Sequence, residues 1–167
     1  MDYAAADNPK GVSANLLVVA LWFGLVAGLL EGVGSLALQQ LGRLDGVWVE
    51  IVWVSPLFAA LLFGALGLLM LLPYLIYRRL PVLTVAVFTF SALALFILLE
   101  LALPPEIHAG ALMLLSAGAA SVFTRWFRRH PTQFIRFSRR SLPVVAVATL
   151  LVVAAVHGGF WLREAIS

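Results

Sequence analysis

The chain has 167 residues, 63% of them hydrophobic and only 11% charged, with a formal net charge of +3 and no cysteine. Soluble domains carry about 25% charged residues, so this composition excludes an ordinary water-soluble fold. The lack of cysteine excludes disulfides, thiolate catalysis and cysteine-ligated metals.

Five apolar stretches reach, or nearly reach, the roughly 20 helical residues that cross a hydrocarbon core. They cover residues 16–38, 55–77, 80–103, 107–127 and 142–162. The longest polar connection, 125–141, is too short to bury a core of its own. The expected fold is therefore all-α: a polytopic membrane helix bundle of about five transmembrane helices, forming a single domain over 1–167.

The first span carries Gly24, Gly28 and Gly32 at a spacing of four residues. On a helix these form one smooth ridge against which a second helix can pack closely. Glu31 lies beside the ridge and is the span's only charge. A charge within lipid costs about 2.5–3.5 kcal/mol on insertion scales, so it is expected to face a partner or water. Two readings of Glu31 stand. It is a proton-relay, ion-binding or ligand-binding carboxylate, or it is a structural carboxyl bonded to Ser35, Gln39 or another helix. The span is longer than a signal-peptide core, and Met1–Ser13 carries two acids against Lys10, so a cleaved leader is not expected.

Before the second span, residues 47–54 are apolar around Glu50 and end at Ser55-Pro56. Proline is tolerated in a first helical turn, so a helix restart at Ser55-Pro56 is expected there, with 47–54 interfacial or forming the top of the span. Pro73, Pro81, Pro104-Pro105 and Pro143 fall near span ends and are expected to punctuate helices. Glu100 closes the third span. The fourth is the shortest, with 16 uncharged residues between His108 and Arg125; it crosses if its arginines snorkel and is re-entrant otherwise. Steps such as Gly64 to Gly67 and Ala117 to Ala120 suit close packing.

Charge sets the orientation. With the N-terminus in the cytoplasm, Lys10, Arg78, Arg79, Arg125, Arg128, Arg129, Arg136, Arg139 and Arg140 lie inside and only Arg43 and Arg163 outside. Short loops obey the positive-inside rule, so N-in/C-out is expected, in a bacterial inner membrane. Trp48, Trp53 and Trp161 then mark the outer interface and Tyr74, Tyr77 and Trp126 the inner one.

Two further groups carry potential chemistry. Glu106, His108 and His157, with Glu100, converge on the outer side by depth. They are the candidate ligands for a divalent metal, and His157 or His108 for a haem or pigment. No two of them share a helix face at ligand spacing, so interfacial histidines bonded to carboxylates or backbone are the expected state, with no metal or cofactor. On the inner side, Arg125, Arg128, Arg129, Arg136, Arg139 and Arg140 interleave with Trp126, Phe127, Phe134 and Phe137. Such a segment is expected on the membrane surface, rings at headgroup level and guanidinium groups on the phosphates of bound anionic lipids. The same interleaving occurs in single-strand nucleic-acid binders. Its place between two spans argues for lipid or an acidic partner and against nucleic acid.

The stretches Leu21-Trp22-Phe23-Gly24 with Gly28 to Gly34, Glu50-Ile51-Val52-Trp53-Val54-Ser55-Pro56, Ile107-His108-Ala109-Gly110-Ala111 and Arg139-Arg140-Ser141-Leu142-Pro143 resemble the N-terminal multi-span membrane region of bacterial membrane-anchored sulfatases. The resemblance implies a large extracytoplasmic hydrolase domain after the last span, on the side where the C-terminus is expected. The sulfatase nucleophile motif, Cys or Ser followed by x-Pro-x-Arg, is absent. The resemblance therefore assigns no catalytic residue here. It implies either a fragment of a longer protein or a stand-alone subunit of the same type.

The expected role is non-catalytic: a structural or accessory subunit packed by helix–helix contacts among other membrane subunits, with an energy-transducing assembly as one candidate. The alternatives are a sulfatase-like anchor without its catalytic domain and a small transporter or proton-conducting module using Glu31.

Overall fold

The computed structural model describes residues 9–42, 51–77, 81–103 and 106–166, with side chains described for 11–42, 51–77, 81–103 and 106–155. The described chain is five α-helices with no strand: α1 Pro9–Gln40, α2 Ile51–Ile76, α3 Val82–Ala102, α4 Ala109–Arg129 and α5 Pro131–Ile166. All five are long and apolar enough to cross a membrane. The protein is a polytopic helical membrane protein.

Local sequence sets the helix ends. Pro9 opens α1 with the φ a first turn requires and no N–H to waste. Gly42 ends it at φ 68°, donating to the Gln39 carbonyl at 3.0 Å, in a left-handed conformation that glycine adopts without strain. The Pro81 carbonyl accepts from Thr84 and Val85 to start α3. The His108 carbonyl accepts from Ala111 and Leu112 to start α4. His130 alone joins the last two helices: its N–H closes α4 on Trp126 and Phe127, and its carbonyl accepts from Phe134 in α5.

Helix α1 is the hub, packed on α2, α3 and α5, while α3 also pairs with α4. The core lies where four helices meet around α1. Leu16, Val19, Phe23 and Ala27 of α1, Phe63 of α2, Val87 and Phe90 of α3, Phe127 of α4 and Phe134 of α5 are all buried there. Large apolar side chains facing outward, such as Leu61 on α2, Leu114 on α4 and Leu150 on α5, form the surface that lipid requires.

Several expectations are corrected. The second helix does not restart at Ser55-Pro56; residues 51–54 are its first turn, the second of the two states expected for that segment. It begins at Ile51 and runs through Pro56 and Pro73, both interior, and Pro143 is likewise interior to α5. An interior proline removes one backbone donor, which membrane helices tolerate when neighbours satisfy the freed carbonyl. The fourth segment is one uninterrupted helix of 21 residues, about 31 Å long at 1.5 Å per residue. The arginine-rich connection is helix rather than a surface loop, split between the end of α4 and the start of α5. Its periodicity turns Phe134 and Ser138 inward and Arg136, Arg139 and Arg140 outward, and the inner face packs on α1. Tyr74 is buried at 7% exposure, whereas Tyr77 and Trp126 are exposed. Residues 43–50, Arg78, Arg79, Pro104-Pro105 and the side chains of Lys10, His157, Trp161, Arg163 and Glu164 lie outside the described residues.

Candidate functional site

The glycine ridge of α1 lies directly on the backbone of α2. A Cβ added at Gly24 would stand 2.7 Å from Ala60 Cα, at Gly28 2.5 Å from Pro56 Cα, and at Gly32 3.1 Å from Val52 Cα. Each step of four residues up α1 is a step of four down α2, so the pair is antiparallel and in register over two turns. The carbonyls of Ala59, Ser55 and Val52 face the three glycines. This arrangement suits Cα–H···O contacts, a recurring feature of close helix pairs. One of these carbonyls, that of Val52, is the group that loses its helical donor to Pro56. The sequence therefore removes side chains on α1 at the positions where α2 presents bare backbone.

Glu31 sits at the edge of this seam, partly buried. Ser55 Oγ donates to Glu31 Oε2 at 2.6 Å across the helix pair. Other hydroxyls in the bundle do something different. Ser91, Thr124, Ser141 and Thr149 each donate to the carbonyl four residues back in their own helix. Ser55 gives its proton to the neighbouring helix instead, so the span's one acid is partnered inside the protein. Among the described residues Glu31 has no bond to Glu100, Glu106 or His108.

Glu100, Glu106 and His108 come together elsewhere. They line one cleft of about 480 Å³ at the α3–α4 junction, with Phe96, Ile107 and Leu112. All three are exposed. Among the described residues no three His, Asp or Glu stand close enough to hold a metal ion. His157, the fourth candidate, lies outside the described side chains.

Of the six arginines, Arg139 is tied to α1: its Nη2 donates to Asn15 Oδ1 at 2.9 Å. Arg125, Arg128, Arg129, Arg136 and Arg140 are exposed. Their aromatic companions are not all surface anchors. Trp22 meets Phe134 and Phe137 edge-on at 5.6 and 5.9 Å, and Phe134 meets Phe123 and Phe127 at 5.6 and 5.5 Å. Trp22 Nε1 donates to Ser141 Oγ at 2.8 Å, fixing α5 across α1. Sequence reasoning missed this aromatic junction. Its signal was Trp22 itself, an indole well inside a span, whose N–H needs a partner there.

Against known proteins, the chain matches no family model, no curated protein and no solved structure. The described residues form a five-helix apolar bundle organised on one glycine-ridged helix.

Proposed function

We propose that the chain is a non-catalytic structural subunit of a bacterial cytoplasmic membrane, packed with other membrane subunits into a larger assembly, for which an energy-transducing complex is a candidate. The observation that carries this reading is the use made of Glu31. Its carboxyl is bonded to Ser55 at the edge of a seam where two backbones touch, which leaves the glycine ridge as a joint rather than a passage. The outward leucine-rich faces of α2, α4 and α5 provide area for neighbouring subunits and lipid alike. The protein should copurify with partners at fixed stoichiometry after mild-detergent extraction. Recovery solely as a free monomer, with no partner at any detergent level, would overturn the reading.

The proposed orientation places the α1 N-terminus and the α4–α5 turn in the cytoplasm, supported by the uneven distribution of lysine and arginine. Because the chain has no cysteine, single cysteines at the exposed Gln40 and Thr132 report sidedness cleanly. Gln40→Cys should label from outside and Thr132→Cys only after permeabilisation; the reverse pattern inverts the topology.

A second reading, the membrane anchor of a sulfatase-like hydrolase, has one observation in its favour. Three of the segments that carry the sequence resemblance pack together: Trp22 bonds Ser141, and Gly28 abuts Ser55 and Pro56. The intact mass of the native polypeptide separates the two, since an anchor belongs to a much larger product.

A further inference from the structure

We propose that the place where α5 packs on Trp22 of α1 binds one anionic phospholipid, its phosphate over Arg136 and Arg140 of α5 and one acyl chain in the apolar cleft beyond Trp22, between α1, α3 and α4. The indole lines one of two clefts and touches residues that line the other. The first, about 640 Å³, is lined by Thr132, Gln133, Arg136, Phe137, Arg140 and Ser141. It offers two guanidinium groups, the Thr132 hydroxyl and the Gln133 amide, which are donors that a phosphodiester accepts. Arg136 and Arg140 lie one helical turn apart on the same face, where like charges repel. Among the described residues neither has an ion pair or hydrogen bond, in contrast to Arg139 with its Asn15 partner.

The second cleft, about 230 Å³, runs between α1, α3 and α4 and is walled by Trp22, Val26, Leu30, Leu95, Leu98 and Phe123. Nearly all of its lining is apolar. At membrane depth such a space takes hydrocarbon, because water would find no hydrogen-bond partners in it. Trp22 joins the two. The indole lines the apolar cleft, its Nε1 bonds Ser141, and its ring contacts Phe137 at 5.9 Å. Both of those residues line the basic cleft. An anion site opening beside a hydrocarbon slot matches an amphiphile with a phosphate at one end. Inorganic phosphate or an acidic peptide would satisfy the arginines and leave the slot unused.

Native mass spectrometry of the full chain, after exchange into phosphatidylglycerol or phosphatidylcholine micelles, tests this. The expected result is one tightly retained phosphatidylglycerol and no comparable phosphatidylcholine. Arg136→Gln with Arg140→Gln should lower retention about 30-fold, and each single change about fivefold. The exposed pair Arg125→Gln and Arg128→Gln should leave it unchanged. Leu98→Trp, which fills the slot, should lower retention while leaving both arginines in place. Circular dichroism and monodisperse elution identify a variant that has failed to fold; if the double variant fails, the two single variants decide. Equal retention of both lipids, loss with the Arg125/Arg128 pair, or displacement by millimolar inorganic phosphate overturns the proposal. So does unchanged retention in Leu98→Trp.

Discussion

Helix α1 is held by two kinds of contact, and they obey different physics. Toward α2 it presents glycines, and the backbones meet with almost nothing between them. Toward α4 and α5 it presents Trp22 and Phe23, and the helices stand apart at aromatic distance, with ring centroids 5.6 to 6.2 Å apart. In lipid no hydrophobic force drives helices together, because the tails are as apolar as leucine. Close van der Waals fit and buried hydrogen bonds must do the work. The glycine seam obtains its fit by removing atoms, the aromatic junction by adding them. Each carries a cross-helix bond to or from a hydroxyl: Ser55 donating to Glu31 in the first, Ser141 accepting from Trp22 in the second.

The two joints should therefore fail differently. Gly28→Leu is expected to have the largest effect. Even a Cβ would lie 2.5 Å from the Pro56 backbone, and rigid backbone cannot yield as a side chain can. The cost should reach or exceed the about 1–3 kcal/mol of ordinary overpacking and separate α1 from α2. Thermal unfolding in mild detergent reads it out; an unshifted midpoint would mean that the seam does not exist. Alanine substitutions grade the effect, with Gly28→Ala worse than Gly24→Ala and Gly32→Ala mildest, following contacts of 2.5, 2.7 and 3.1 Å.

Phe23→Ala comes next. A soluble core loses about 3–5 kcal/mol for such a change. Here the transfer part is small because lipid solvates the ring equally well, and about 2 kcal/mol from lost contacts remains. A loss as large as in a soluble core would show that the junction excludes lipid entirely.

Ser55→Ala removes the partner of Glu31 and should cost about 0.6 kcal/mol, the average for cross-helix hydrogen bonds in a membrane. If Glu31 instead serves conduction, Glu31→Gln would abolish proton flux in proteoliposomes. The structural reading expects no flux to lose.

The smallest effect is expected at Ser138. Its Oγ is fully buried and has no partner among the described residues. Ser138→Ala should therefore leave stability unchanged or raise it, by up to about 1 kcal/mol. A clear destabilisation would point to an acceptor for that hydroxyl.

The bundle was legible in the sequence because lipid demands long apolar runs, and such runs are local. The glycine ridge was legible for the same reason, its period being written within one helix. Its partner was not: that Gly28 meets Pro56 and that Ser55 serves Glu31 depends on pairing across 24 residues or more, which no local pattern encodes. The start of α5 was misread because an amphipathic pattern fits two surroundings equally well. Phe134 between arginines suits a headgroup layer or a protein core, and only the position of Trp22 decides between them. Pro56 misled in the opposite direction. It marks a break in most sequences, yet here it adds the bare backbone that the glycines need.

The closest-fitting surfaces of the molecule belong to consecutive helices, and this has a consequence for biogenesis. Synthesis is vectorial, and early segments fold before later ones exist. The ridge of α1 meets its match as soon as α2 has emerged, whereas the bond that Asn15 accepts and the bond that Trp22 donates must wait for residues 124 and 119 positions downstream. The α1–α2 hairpin can thus be sealed early in the insertion machinery, while the Trp22 side of α1 stays without its partners Phe134, Phe137 and Ser141 until α5 is made. A translation-arrested chain ending near residue 100 would present that side, indole outward, as a docking point for whatever insertase or chaperone attends the nascent protein.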